Sequence, residues 1–265
     1  MTKIIGILNL TLDSFSDGGM YYDLESAKKH IAEMIDQGAD VIDIGAESTR
    51  SGFSDVSADS QINTLAPIIE FINKNYDIKI SIDTRSSEVI NHFSDQNIFF
   101  VNDVSSGFHD KDMLKSVSRL KCNYIITHMP DEHQKGLNKK YSDVLDELDV
   151  FFKERINSCI DEGIDEEKII IDPGIGFGKS GDDNVKILEN INILKSIHSN
   201  ICIGSSNKRF SSKLFEGIET KDDLKVANLA TFAISALRGA TYLRVHDVDI
   251  TKDTIMIMNK VKNVS

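Results

Sequence analysis

Eight short apolar runs, separated by amphipathic segments, are the feature that most constrains how this 265-residue chain can fold. Each run is almost continuously hydrophobic instead of alternating. This pattern is expected of strands in a parallel sheet that is covered on both faces. The runs occupy residues 4–8, 41–44, 79–82, 98–101, 123–126, 169–171, 201–203 and 242–245. We therefore predict eight parallel strands.

The segments between these runs have the spacing of amphipathic helices. Helices are predicted over residues 23–38, 57–74, 86–95, 110–119, 142–163, 183–196, 222–238 and 251–262. A strand followed by a helix, repeated eight times, predicts an α/β protein with a (β/α)8 TIM barrel, and one barrel of about 250 residues accounts for the whole chain. We therefore expect a single domain over residues 1–265. A doubly wound open sheet is the alternative that periodicity alone does not exclude.

Charge and composition restrict the partners of the protein. The 42 acidic and 30 basic residues leave a formal charge of −12, which argues against nucleic acid or an anionic membrane as the main partner. The three cysteines form no C-x-x-C pair, so we expect them to be reduced and mostly buried. The N-terminal residues lack the features of a signal peptide and no apolar run is long enough to span a membrane. A cytoplasmic protein with small-molecule substrates is the expectation.

The sixth apolar run ends in an acid and a glycine-rich turn, in the sequence IIIDPGIGFGKS. Gly174, Gly176 and Gly178 predict backbone conformations that other residues adopt only at a cost, and such turns let a ligand approach the main chain. A phosphate-binding P-loop is excluded because Pro173 stands where that motif needs its first glycine. The G-x-G-x-G spacing also departs from the dinucleotide-binding fingerprint. We interpret Asp172 as a buried acid facing a ligand.

Polar side chains lie at or just after the end of every predicted strand, where barrel enzymes build their active sites. These residues are Asn9, Asp43, Asp83, Asn102, Asp103, His128, Asp172, Ser205, Ser206, Lys208, Arg244 and His246. Taken singly, an acid in such a place can simply cap the next helix, and a histidine can be a hydrogen-bonded core residue. Their coincidence at one end of a barrel favours an active site.

The motifs at these strand ends closely resemble those of the dihydropteroate synthase family, in the same order and over nearly the whole chain. They are NLTLDSFSDGG, DIGAESTRSG, SIDT, VNDVSSG, HM, DPGIGFGK, GSSNK and RVHDV. The resemblance implies a transferase of folate biosynthesis, inhibited by sulfonamides. Its reaction would join 4-aminobenzoate to 6-hydroxymethyl-7,8-dihydropterin diphosphate, giving 7,8-dihydropteroate and diphosphate with the help of Mg²⁺. A pterin-binding methyltransferase that uses methyltetrahydrofolate and a non-catalytic pterin-binding homologue are the alternatives.

The resemblance also implies a role for each motif residue. The pterin would be bound by Asp83, Asn102, Met129, Asp172, Phe177, Gly204 and Lys208. The diphosphate would be bound by Asn9, Thr49, Arg50, Arg244 and His246, with Asn9 as the Mg²⁺ ligand. The aminobenzoate would be bound by Arg50, Ser51, Phe177, Lys208 and Arg209. Catalysis would depend on Asp83, Lys208, Arg244 and His246. From the residues alone, an internal salt bridge is the alternative role for Arg244.

Two loops, residues 12–22 and 50–58, have the composition of mobile lids over a substrate. The chain departs from the family pattern at four positions, which are Leu12, Ser51, Asn207 and Arg209. Leu12 and Ser51 replace prolines, Asn207 replaces an arginine and Arg209 replaces a serine. These changes predict altered binding of aminobenzoate and weaker inhibition by sulfonamides. The resemblance further implies a homodimer.

Overall fold

The computed structural model describes residues 2–10, 24–48, 55–205 and 220–262. Its eight strands are β1 (Lys3–Asn9), β2 (Val41–Gly45), β3 (Lys79–Asp83), β4 (Ile98–Asp103), β5 (Asn123–Thr127), β6 (Ile169–Asp172), β7 (Cys202–Ile203) and β8 (Tyr242–Val245). They pair in parallel in the order β6-β5-β4-β3-β2-β1-β8-β7. A parallel bridge between Ile171 and Ile201 joins the two end strands. The sheet therefore closes, and the predicted (β/α)8 barrel is confirmed.

Helices cover the outside of the barrel. They are α1 (Leu24–Asp36), α2 (Ala58–Asn75), α3 (Ser87–His92), α4 (Met113–Leu120), α5 (Asp131–Gln134), α6 (Val144–Asp161), α7 (Gly181–Glu189), α8 (Ile191–Ile197), α9 (Lys221–Leu237) and α10 (Val248–Lys262). The single helix predicted over residues 183–196 is wrong, because α7 ends at Glu189 and α8 begins at Ile191. Asn190 leaves the helical conformation, and its amide donates to Lys186 O. A side-chain bond of this kind competes with the helical ladder. The short α5 was not predicted.

The barrel separates two apolar regions. The larger one lies between the strands and the surrounding helices. The smaller one fills the barrel interior and consists of Ile5, Val41, Phe100, Ile125, Ile170 and Cys202. Since side chains along a strand alternate between its two faces, residues two positions further along also point inward. Asp43, Asn102 and Asp172 occupy such positions on β2, β4 and β6. On β8, Arg244 follows two positions after Tyr242, which packs against the same interior. The polar site thus sits directly on the apolar interior.

A β-bulge in β4 determines which of its side chains point into the barrel. Ile80 of β3 pairs with Ile98, but the next residue, Ser81, pairs with Phe100. The extra residue, Phe99, shifts the register by one. Without this bulge, Asn102 would point away from the barrel axis, because a one-residue slip exchanges the two faces of a strand.

The three cysteines, Cys122, Cys159 and Cys202, are free and buried, as expected. Among the helices of the described residues, none has both the length and the apolar character needed to cross a membrane.

The turn after β6 depends on glycine. Gly174, Gly176 and Gly178 all have positive φ angles, as the sequence predicted. A Cβ at Gly174 would lie 2.1 Å from the carbonyl oxygen of His128. This backbone oxygen is fixed because His128 pairs with Asp172 through its own amide, at 2.9 Å. Any side chain at position 174 must therefore force the two strand ends apart.

We predict that Gly174→Ala lowers the free energy of unfolding by about 3 kcal/mol, from the positive φ angle and the steric overlap together. Gly136→Ala is the matched control, because Gly136 also has a positive φ angle but a Cβ there would meet nothing within 4 Å. The control should lose only about 1 kcal/mol. Urea denaturation measures both values. Equal losses in the two variants would show that the contact with His128 is not the constraint.

Candidate active site

The centre of the site is an arginine held by two acids at the carboxyl ends of the strands. Arg244 Nε donates to Asp43 Oδ2 at 2.7 Å, and Arg244 Nη2 donates to Asp83 Oδ2 at 2.5 Å. These bonds connect β8 with β2 and β3 across the barrel. The arginine side chain is 18% exposed, whereas those of Asp43 and Asp83 are 0% and 8% exposed. The internal salt bridge considered from the sequence is present, with Asp43 and Asp83 as partners.

Burial affects the charges of Asp83 and Arg244 differently. Burial raises the pKa of Asp83 to about 7; Arg244 opposes the shift, whereas Asp43, Glu47 and Asp103 reinforce it. Burial disfavours the charged form of Arg244, but Asp43 and Asp83 outweigh that effect and raise its pKa. The guanidinium is therefore permanently charged, while the charge of Asp83 changes near neutral pH.

Asn102 joins the same cluster. Its Nδ2 donates to Asp43 Oδ2 at 3.4 Å. The same carboxylate oxygen therefore accepts hydrogen bonds from Arg244 Nε and from the side-chain amide of Asn102. The sequence identified Asp43 as a polar residue at a strand end but gave it no role. Its position two residues before the end of β2 was the available signal, because that position points inward.

Asp172 lies beside this cluster at the end of β6 and is 7% exposed. Its Oδ1 accepts a hydrogen bond from Gly174 N at 2.8 Å, which fixes the carboxylate at the start of the glycine turn. Gly204 lies between Asp172 and Arg244. A Cβ at Gly204 would be 3.5 Å from Asp172 Oδ2 and 3.8 Å from Arg244 Cβ. A glycine at this position leaves space between the carboxylate of Asp172 and the aliphatic part of the Arg244 side chain.

Lys179 holds the glycine turn against the end of β5, a role that the sequence did not predict. Its buried ammonium donates to the carbonyl oxygens of His128, Gly174 and Phe177, at 3.0, 3.0 and 3.2 Å. Three backbone dipoles thus compensate the burial of one charge, as a buried ammonium requires. Their arrangement fixes the backbone that presents Asp172.

Three other predicted residues lie around this turn. The ring of His128 is 3% exposed and packs edge-on against Phe151, with 4.8 Å between ring centroids. Burial, and then Lys179 and Lys139, hold the pKa of His128 well below its ordinary value. His128 is therefore a neutral core residue, as considered from the sequence. Phe177 is 7% exposed and packs on His133, and Met129 is half-buried, so their contacts with substrate stay predictions.

Asn9 and His246 meet at the open end of the barrel. Asn9 Nδ2 and His246 Nε2 are 3.5 Å apart, and the Asn9 side chain is exposed. With the amide nitrogen turned to the histidine, the amide oxygen faces another direction, where it is suited to a hard cation. In the described part of the chain, no group of three or more His, Cys, Asp or Glu residues could hold a metal ion. The residues present fit a Mg²⁺ ion that takes one ligand from the protein and the others from phosphate and water.

A second buried ion pair anchors the connection between β2 and α2. Arg85 Nε donates to Glu47 at 2.7 Å and Arg85 Nη2 donates to Asp55 at 2.8 Å. Glu47 also accepts from Val56 N at 3.1 Å, so a residue before the predicted lid is tied to the C-terminal part of that lid. Residues 55–57 of the predicted lid 50–58 are therefore fixed in place. The sequence gave no role to Arg85 or Glu47.

Several predicted site residues lie outside the described part of the chain. They are Leu12, Thr49, Arg50, Ser51, Ser206, Asn207, Lys208 and Arg209, together with all of the predicted lid 12–22 and residues 50–54 of the predicted lid 50–58. Their roles stay predictions.

Comparison with known proteins agrees with this geometry. The model of the pterin binding enzyme family matches residues 5–246. The dihydropteroate synthase of Clostridium beijerinckii is 37% identical over 248 residues, which are 93% of this chain and 89% of that protein. A structure of Xanthomonas albilineans dihydropteroate synthase with 4-aminobenzoic acid superposes with a TM-score of 0.90 at 34% identity, covering 98% of this chain and 93% of the other. The same enzyme in complex with 7,8-dihydropteroate gives a TM-score of 0.87 at 32% identity, covering 98% and 94%.

We predict that Asp83 makes the free energy of unfolding fall as the pH rises. Its pKa in the folded protein, about 7, is above the ordinary value of 3.8, so the folded state binds the extra proton between these values. Stability from this group is therefore present at low pH and is lost as the pH approaches 7. Relative to Asp83→Asn, the wild-type protein should lose about 1.4 kcal/mol per pH unit between about pH 5 and 6.

Urea denaturation of both proteins at several pH values measures this difference. Circular dichroism checks that Asp83→Asn keeps the fold. Parallel stability curves for the two proteins would contradict the prediction and would show that Arg244 keeps Asp83 ionised throughout.

Proposed function

Because this chain belongs to the pterin binding enzyme family, and within it to the dihydropteroate synthases, we propose that its barrel mouth joins a dihydropterin to 4-aminobenzoate. The C–O bond between the pterin methylene and its diphosphate breaks. A C–N bond to the aminobenzoate nitrogen forms, and that nitrogen loses a proton. The products are 7,8-dihydropteroate and diphosphate. The observation that carries the proposal is the buried set of hydrogen-bond acceptors and one guanidinium at the barrel mouth.

Recognition of the pterin follows from its hydrogen-bonding edge. This edge presents an amino group and ring N–H donors, and ionised carboxylates and an amide oxygen are the acceptors that suit them. In the proposal, Asp172 binds the amino edge, Asp83 and Asn102 bind the other ring atoms, and Lys208 donates to the carbonyl side. Gly204 provides room for the ring between Asp172 and Arg244. A charge-assisted hydrogen bond of this kind contributes about 1.5–3 kcal/mol.

Departure of the diphosphate needs positive charge, which a chain of net charge −12 must supply locally. The two ion pairs of Arg244 use two of the five N–H donors of a guanidinium, which leaves donors in the same plane for an oxyanion. His246, at the next inward position along the chain, lies against Asn9 at the rim. Thr49 and Arg50 complete this anion site in the proposal. Such donors stabilise the transition state more than the ground state, because negative charge accumulates on the leaving oxygens.

Magnesium has a limited role in the proposal. Asn9 would hold the ion together with phosphate oxygens, and the bound ion would neutralise negative charge on the departing diphosphate. The aminobenzoate would be bound by Arg50, Ser51, Phe177, Lys208 and Arg209. We further propose that the diphosphate leaves before the amine attacks, since the pterin ring can delocalise the cation formed at the methylene.

The test is release of diphosphate from the pterin substrate, with and without aminobenzoate and Mg²⁺. Asp172→Asn should lower kcat/KM about 10- to 150-fold, because the amide directs donors at donors and one charge-assisted bond is lost. Asp36→Asn, an exposed acid at the end of α1, is the control and should leave the rate unchanged.

Each outcome of this assay has a separate meaning. Pterin binding without any release of diphosphate would identify a non-catalytic binder. Full activity in the presence of a chelator would remove Mg²⁺ from the proposal. Transfer of a methyl group from methyltetrahydrofolate would identify the methyltransferase alternative instead.

We also propose a homodimer, supported by apolar residues exposed on α9 and α10. Val226, Ile234 and Leu237 are 67, 43 and 56% exposed, and they fall within about 80° of one another around a helix of 3.6 residues per turn. Met256 and Ile257, on the neighbouring α10, are 48 and 64% exposed. Such exposed apolar residues suit a contact with another protein. Since two copies repel each other through their net charge, the contact between them must be largely apolar.

Light scattering tests the dimer. The double variant Val226→Asp and Met256→Asp should convert a dimer into a monomer, because like charges would face each other across the two-fold axis. Val150→Asp is the matched control, since Val150 is an equally exposed apolar residue (56%) on α6. A monomeric wild-type protein, or a double variant that stays dimeric, would refute this interface.

A further inference from the structure

Asp43 holds two of the proposed substrate-binding residues at once. Its Oδ2 accepts hydrogen bonds from Arg244 Nε at 2.7 Å and from Asn102 Nδ2 at 3.4 Å. Arg244 comes from β8 and is assigned to the diphosphate, whereas Asn102 comes from β4 and is assigned to the pterin. One carboxylate oxygen on β2 therefore connects the two halves of the first substrate's site.

Asp43 itself lies too deep to bind the substrate. Its side chain is 0% exposed. In the register of the sheet, Asp43 is level with Ile7 and Ser81, whereas Asn9, Gly45 and Asp83 form the next level towards the open end. At that next level, a Cβ on Gly45 would lie only 3.0 Å from Asp83 Cβ. The side chains of Arg244 and Asp83 are 18% and 8% exposed, so a substrate entering from the mouth meets them before it could reach Asp43.

A carboxylate next to a diphosphate site is electrostatically unfavourable for binding the anion, so its usefulness must come from orientation. The bond from Nε fixes the plane of the guanidinium, which then directs its other donors towards the mouth. The bond from Asn102 fixes which way the amide faces. With Nδ2 committed to an acceptor-only carboxylate, the Asn102 oxygen is the atom presented to ring N–H donors.

We propose that Asp43 is a positioning residue, which sets the plane of Arg244 and the amide orientation of Asn102 for the pterin diphosphate without touching it. The inference rests on the proposed function. A neutral amide at position 43 would lose this control, because an asparagine has both donors and acceptors and no longer compels either neighbour to donate.

The first test is steady-state kinetics of Asp43→Asn with both substrates. The variant should lose at least about tenfold in kcat/KM for the pterin diphosphate, with a raised KM for that substrate, while KM for aminobenzoate stays within about twofold of the wild-type value. A purely structural defect would lower the amount of active enzyme and leave both KM values unchanged. Wild-type kcat/KM in Asp43→Asn would overturn the proposal.

Asp103→Asn is the matched control. Asp103 is as deeply buried, at the end of β4, but its carboxylate accepts from Ser105, Gly107 and Tyr124 within its own part of the fold. This variant should be less stable yet keep kcat/KM for the pterin diphosphate within about threefold. An equal loss in Asp103→Asn and Asp43→Asn would overturn the proposal, because any buried acid would then have the same effect.

The second test asks whether Asp43 acts through Arg244. In an Arg244→Lys background the planar guanidinium is absent. Adding Asp43→Asn to that background should lower kcat/KM by less than about threefold, instead of the tenfold loss expected when Arg244 is present. If the loss in kcat/KM of the double variant equals the product of the two single-variant losses, Asp43 does not act through Arg244. Thermal denaturation of each variant shows that the proteins compared are folded.

Calorimetry separates this inference from the proposed function. If the wild-type chain binds a pterin lacking diphosphate but has no synthase activity, the proposed function fails while Asp43 is still tested. Weaker pterin binding in Asp43→Asn than in Asp103→Asn would then support the control of Asn102 by Asp43. Equal binding in the two variants would overturn it.

Discussion

The bridge from Arg244 to Asp43 and Asp83 is the interaction on which the site depends. It brings charged groups into a barrel whose interior is otherwise largely apolar. Burial of such a cluster costs solvation free energy that the ion pairs only partly recover. The cluster contributes ligand specificity instead, because it presents fixed donors to an anion and fixed acceptors to a flat heterocycle. The raised pKa of Asp83 is one consequence of that burial.

The second constraint is the main chain after β6. Lys179 binds three carbonyl oxygens, and Gly174 approaches the His128 carbonyl so closely that no side chain fits. Both features keep the Asp172 carboxylate at a fixed place beside Gly204. The two constraints complement each other: ion pairs orient the β2, β3 and β8 side of the mouth, and backbone contacts orient the β6 side.

Much of this was predictable from the sequence, since apolar runs identify buried parallel strands and the residues after them mark the open end of a barrel. The partners of each side chain were not. Asp43 was visible as a polar residue, but its bond to Arg244 spans 201 positions and depends on barrel closure. The inward direction of Asn102 depends on a bulge at Phe99 that hydrophobicity does not reveal.

Lys179 resembled part of a phosphate-binding motif, although its ammonium binds main-chain carbonyl oxygens. The break at Asn190 was missed because the apolar pattern continues through it.

In the proposed function, the buried cluster at the barrel mouth binds the hydrogen-bonding edge of a pterin. A crystal structure of the protein with a bound pterin lacking diphosphate tests it most directly. We expect the amino edge of the ring within hydrogen-bond distance of Asp172, ring N–H groups against Asp83 or the Asn102 oxygen, and Arg244 still bonded to Asp43. A pterin bound elsewhere on the chain, or bound at the mouth with Asp172 and Asn102 out of reach, would contradict it.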